Sequence, residues 1–147
     1  MSHEDAWHTL RELLRTQDLA VLGTDSEGHP YTGLVAFDAT EDLKCLLFAT
    51  ARATRKYRNL QGNPRVSLLI DNRSHSVTDF QRAAAVTVLG AIDVVEPAEE
   101  GRLKERFQTR HPHLNDFVGS PSSALVRVKV DRYYLVRRFQ EVFELVP

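Results

Sequence analysis

The feature that most constrains this chain is a succession of short apolar runs separated by only a few polar turn formers. "DLAVLGTD" (18–25), "YTGLVAF" (31–37) and "KCLLFAT" (44–50) follow one another across the loop "DSEGHP" and the segment Asp38 to Asp42. Apolar runs of this length, bounded by Gly, Pro and Asp, read as strands. Connections this short join antiparallel neighbours, so the three form a meander. Further strand-like runs are "RVSLLID" (65–71), "AAVTVLGAIDVVE" (84–96), "SALVRVKV" (123–130) and "RYYLVRRFQEVFELV" (132–146). Gly90, inside the long fifth run, predicts a bulge or bend.

Helical segments punctuate this pattern. Trp7, Leu10, Leu13 and Leu14 recur at helical spacing in Glu4 to Thr16. "TRKYRNLQGNP" predicts about two helical turns with a stop at Gly62. "PAEEGRLKERFQTRHP" opens on Pro97 and two glutamates and ends on basic residues, the polarity a helix prefers. Strands dominate and βαβ alternation is missing. The expected fold is mainly β (α+β), an antiparallel split β-barrel of six or seven strands with peripheral helices, in a single domain over residues 1–147.

The net charge is −1, which disfavours a polyanion such as nucleic acid as partner. The N-terminus is charged from the start and no apolar run reaches membrane-spanning length, so a cytoplasmic protein without membrane partners is expected. One cysteine, Cys45, flanked by leucines, reads as a small apolar packing residue. Six histidines are present, but His111 and His113 flank Pro112 without partners at metal-ligand spacing, and no metal is expected.

Against this neutral background stands one concentration of charge. Arg52, Arg55, Lys56, Arg58 and Arg65 crowd together, and no Asp or Glu occurs from Leu43 to Ile70. With Thr54 as N-cap, Arg55 and Lys56 fall in the first helical turn, the end where the helix dipole disfavours cations. Solvated surface cations are one reading of the cluster. An anion seated on the helix N-terminus is the other, since a phosphate would engage the amides, the Thr hydroxyl and the cations together. The missing acids and the preceding apolar strand favour the phosphate.

"GHPYTGLVAF" (28–37) and "LLFATARATRKYRNLQGNPRVSLLI" (46–70) resemble the core of the pyridoxamine 5′-phosphate oxidase-like proteins, an FMN-binding split β-barrel superfamily. The resemblance spans about Leu19 to Val95. It implies a homodimer with FMN in the cleft between subunits. By matched position, Thr54, Arg55 and Lys56 would hold the flavin phosphate. Thr32, Gly33, Leu34 and Val35 would line the flavin ring through the strand backbone, with Ala49 and Thr50 alongside. Asn72 and Arg73, at the exit of the next strand, are expected at the same rim, with His75 near it.

This chain departs from the oxidases themselves. Gly33 and Ala85 stand where they carry an arginine and a glutamine, and their C-terminal arginine-rich signature is missing. "DNRSHSVTDF" leading to "VTVLG", and "DRYYLVRRF", are closer to the haem-utilisation branch, although Arg137 and Arg138 replace its Gly-rich stretch. The resemblance implies an FMN-binding flavoprotein, an oxidoreductase acting on a small substrate. A non-enzymatic module of the same fold, binding or sensing FMN or haem, is the alternative.

Overall fold

The apolar runs pair as the short connections require. In the computed structural model, which describes residues 2–147, α1 (His3–Thr16) precedes β1 (Leu19–Ser26), β2 (His29–Ala39) and β3 (Cys45–Ala51). Then come α2 (Arg55–Gly62), β4 (Arg65–Asp71), a short α3 (Asp79–Arg82) and β5 (Ala84–Asp93). The chain ends with α4 (Pro97–Arg110), a short α5 (Asn115–Gly119), β6 (Ser123–Arg137) and β7 (Glu141–Leu145). The strand order is β3-β2-β1-β4-β5-β6-β7, all pairs antiparallel, and a further β3–β6 pairing closes six strands into a barrel. The first seven residues of β6 pair with β3, and its end pairs with β7, which lies outside the ring.

Local chemistry explains most of the joints. The β1–β2 hairpin turns on Glu27 and Gly28 alone, both with positive φ, as a two-residue hairpin favours. The β5–β6 register shifts between Leu89 and Gly90, where Asp131 is the extra residue on β6. This bulge reverses which side chains of β6 face inward. Before it Val126, Val128 and Val130 are buried, and after it Tyr133 and Leu135 are. A Cβ at Gly90 would lie 2.3 Å from the Lys129 carbonyl oxygen, so only glycine fits opposite the bulge. Inside the barrel, the Tyr133 hydroxyl donates to the Leu43 carbonyl at 2.8 Å, and burial pushes its pKa far above the usual value.

A smaller apolar layer lies outside the barrel. Leu47 and Ala49 face outward from β3 and pack with Leu103 and Phe107 of α4 and Val118 of α5. The buried Asp38 of β2 pairs with Arg106 (3.0 Å) and Arg110 (3.1 Å) of α4. Arg110 also donates to the Leu14 carbonyl at 2.7 Å and to that of Gln17, capping the C-terminal end of α1. His111, also buried, sits 2.7 Å from the Phe37 carbonyl through Nε2.

Three expectations need correction. α2 does not stop by a left-handed glycine: Gly62 has no positive φ and Asn63 is extended, because Pro64 excludes helical geometry from the residue before it. The run 132–146 is not one strand but the end of β6 and all of β7, joined by a turn in which Arg138 and Phe139 take positive φ. Nothing in "RRFQ" resembles usual turn chemistry, which hides the break. Finally, Asp38 and Ala39 belong to β2, and the connection to β3 is Thr40 to Lys44.

Candidate functional site

β2 pairs with β1 from His29 to Ala36, but with β3 only at Phe37, Asp38 and Ala39. This divergence is the split in the barrel. The Phe37 amide donates to the Asp18 carbonyl (3.2 Å), so odd-numbered residues of β2 direct their backbone groups to β1. By alternation Thr32, Leu34 and Ala36 direct theirs to the unpaired edge. On β3 the Arg52 amide donates to Ser122 (2.8 Å), so even-numbered residues serve β6 and Ala49 faces the split. Backbone donors and acceptors from two strands therefore converge on one notch.

α2 lies beside this notch because β3 ends immediately before it. The Thr54 hydroxyl donates to the Ala51 carbonyl (2.8 Å), accepts from the Tyr57 amide (3.3 Å) and meets the hydroxyl of the buried Thr50 at 3.1 Å. Thr54 is thus a true N-cap, and its hydroxyl proton is turned inward. Among the described residues the amides of Arg55 and Lys56 remain without a protein acceptor, as the first amides of a helix do. Asn59, buried on the opposite side, donates to Thr24 Oγ1 at 3.0 Å and anchors the helix to β1.

The cations are left over in the same sense. Among the described residues Arg52, Arg55, Lys56, Arg58 and Arg65 form no ion pair. Arg52 is spoken for by the Tyr57 hydroxyl (2.9 Å) and the Pro121 carbonyl (3.3 Å). Lys56 lies across β2 at Gly33, with Nζ 3.8 Å from where a Cβ would stand. The Arg55 guanidinium carbon lies 5.9 Å from the ring centroid of Tyr31. An arginine at position 33 would occupy the space Lys56 uses. Tyr31, adjacent to the predicted Thr32, has no sequence signal to mark its place beneath Arg55.

The other expected residues divide. Thr32 and Leu34 are exposed beside the notch, while Val35 is buried in the core and, like Gly33, turns its backbone groups to β1, so neither offers a free polar group to the notch. Asn72 and Arg73 do not share this rim. β4 begins next to the end of α2, so its exit lies about 20 Å away at 3.3 Å per residue. There Asn72 Oδ1 accepts from the Ala84 amide (2.8 Å), and Arg73 pairs with Asp71 (2.7 Å). His75 lies at this far end too, in an apolar groove of about 580 Å³ with Phe80 and Phe139, whose rings stack at 4.7 Å. Cys45 is half-buried, and burial raises its thiol pKa, the wrong direction for a nucleophile. No metal-ligating group of three or more His, Cys, Asp or Glu occurs among the described residues.

Comparison with known proteins bears on the family and the fold. A family model described as pyridoxamine 5′-phosphate oxidase matches residues 6–137. No curated protein sequence matches the chain. Among solved structures, a heme binding protein from Mycobacterium smegmatis superposes with a TM-score of 0.86 at 17% identity, over 99% of this chain and 60% of that one. The protein Atu2129 of Agrobacterium tumefaciens, of unknown function, has a TM-score of 0.80 at 22% identity, over 93% and 58%. A FAD-binding protein from Mesorhizobium loti has a TM-score of 0.69 at 14% identity, over 92% and 94%. The chain thus spans about three-fifths of the mycobacterial and Agrobacterium chains. At these identities the likeness is one of fold.

Proposed function

This chain belongs to the pyridoxamine 5′-phosphate oxidase family, and from that premise we propose that it is an FMN-binding flavoprotein, an oxidoreductase acting on a small substrate. One observation carries the reading: a capped helix N-terminus with free amides and unpaired Arg55 and Lys56 opens beside the unpaired edges of β2 and β3. A phosphate fits the first part and a flat ring with polar edges fits the second.

In this reading Arg55, Lys56 and their amides hold the flavin phosphate, and Thr54 shapes the socket from behind. Thr32 and Leu34 present β2 backbone to the ring with Ala49 across the split, while Gly33, Val35 and Thr50 flank them with their backbone groups turned to β1 and β6. Bound FMN supplies the hydride and electron chemistry, and the chain supplies binding, orientation and electrostatics. The outward row Leu34–Val21–Leu69, aligned across three strands, supports a homodimer with the cofactor at its interface. Leu34 is 65% exposed and Leu69 37% in the isolated chain. No helix among the described residues is long and apolar enough to cross a membrane, and we place the protein, as a single domain, in the cytoplasm.

The test is titration of the purified protein with FMN, riboflavin and haem, followed by absorbance and flavin fluorescence. FMN is expected to bind with perturbed flavin absorption. Arg55→Ala with Lys56→Ala should weaken FMN on the order of 100-fold, for two charge-assisted contacts of about 1.5 kcal/mol each, and leave riboflavin nearly unchanged. Equal weakening of both flavins would move the phosphate elsewhere. Absence of flavin binding, with a Soret band on adding haem, would replace this reading by the haem-binding one suggested by the mycobacterial neighbour.

A further inference from the structure

The apolar groove of about 580 Å³ beside α3 takes no part in the notch of its own chain. It lies on the same outer face as the row Leu34–Val21–Leu69, and Leu69 belongs to both, as the end of the row and a wall of the groove. Beyond Leu69 the floor continues over Ala85 and Val136, aligned on β5 and β6. Val77, Phe80 and Phe139 rise around it, and the stacked rings of Phe80 and Phe139 are still 58% and 64% exposed. A continuous exposed apolar surface of this kind marks an interaction site.

Symmetry decides what this surface meets. In an isologous pair, a contact from one residue to another is always returned by the partner. Leu34 and Leu69 flank Val21 on its two sides, so a twofold axis running close to β1 exchanges β2 with β4. Leu34 of one copy then meets Leu69 of the other. The split lies just beyond Leu34, closing where Phe37 pairs with Phe48 next to Ala49, and the groove lies just beyond Leu69. Each groove thus faces the closing end of the other copy's split, near Ala49, and stands clear of the phosphate socket.

The polar groups of the groove are mostly spent. Arg73 pairs with Asp71 (2.7 Å), and both Asp79 oxygens accept from the 74–76 segment. The Ser76 hydroxyl bonds those of Ser74 (3.0 Å) and Thr78 (2.6 Å). The imidazole of His75, whose backbone Asp79 holds at positive φ, is left to meet a ligand. Aromatic walls with one uncommitted polar group suit a flat, apolar molecule, and no free cation is present for a phosphate ester.

We propose that the groove of one copy closes over the flavin notch of the other and forms the substrate pocket there, for a planar, apolar, unphosphorylated substrate. The inference rests on the flavin-binding, dimeric reading above. Phe80 and Phe139 of one copy cover the substrate, His75 bonds its polar group, and the flavin held by the other copy lies beneath it. Neither copy has a complete site alone.

The experiment titrates the FMN-loaded full chain with 2-naphthol and 2-naphthyl phosphate, read by the change in flavin absorbance on stacking. 2-Naphthol should bind and the phosphate ester should bind more weakly. Phe80→Asp should weaken 2-naphthol at least about tenfold by placing a charge in the apolar groove, and FMN should still bind. Circular dichroism and sedimentation verify that the variant folds and dimerises; should it dissociate, His75→Ala, expected to cost about fivefold, carries the same test. The groove variant is then co-expressed with the Arg55→Ala, Lys56→Ala chain. A mixed dimer has one intact socket facing one intact groove, so the 2-naphthol response should return. If it does not return, the groove does not act across the dimer and the inference is overturned while the FMN reading stands. FMN-loaded protein that binds neither naphthol, or binds the ester as tightly, overturns the substrate class. If FMN itself fails to bind, both readings fall.

Discussion

Gly90 is the residue of β5 against which the β6 bulge closes. The bulge at Asp131 pushes the Lys129 carbonyl against it, and the same bulge turns Tyr133 inward to bond Leu43. Gly90→Ala should therefore destabilise the protein by about 1–3 kcal/mol, as overpacking against backbone does, and chemical denaturation measures it. An unchanged denaturation midpoint would show that the bulge can relax. Much at this scale was legible beforehand. Gly90 announced an irregularity, and Thr54 announced a cap, because backbone preferences are local. Lys56 over Gly33 and Arg55 over Tyr31 were not, because such contacts arise only when a strand and a distant helix are brought together.

Among the elements, the β4–α3 connection has the clearest dependence on pH. Asp79 is held below the usual aspartate pKa, first by the Ser74 amide and then by the Ser74 hydroxyl and the Ser76 and His75 amides. A carboxyl with a depressed folded pKa stabilises fully above its ordinary value near 4 and loses that contribution as pH falls through the folded value. Amide exchange at Ser74, His75 and Ser76, corrected for intrinsic rates, should thus accelerate as pH drops below about 4. Asp79→Asn should show the faster exchange already at neutral pH. Protection that is insensitive to both changes would mean that the loop is held by other contacts. The long elements were readable from periodicity and end signals, as in α1, α2 and α4. The short α3 and α5 were not, since four or five residues give no period to read. The β6–β7 turn escaped notice because its left-handed residues are Arg138 and Phe139.

For the molecule as a whole, the exposed row Leu34–Val21–Leu69 argues for a partner of the same kind. Sedimentation should give a particle of twice the 16.7 kDa chain mass, and Leu34→Asp with Leu69→Asp should give the monomer with weakened FMN binding. A wild-type monomer that binds FMN at full strength would remove the interface from the cofactor site. The sequence by itself determined most of the strands, the antiparallel succession of the first three, the cap on α2 and the charge beside it, because each depends on residues close along the chain. Only the tertiary structure decided that β3 closes on β6 and parts from β2, which opens the backbone edges next to that charge. It also decided that Asn72 and Arg73 stand at the other end of the barrel. Strand direction and closure are set by long-range pairing, and no local preference encodes which edge remains unpaired.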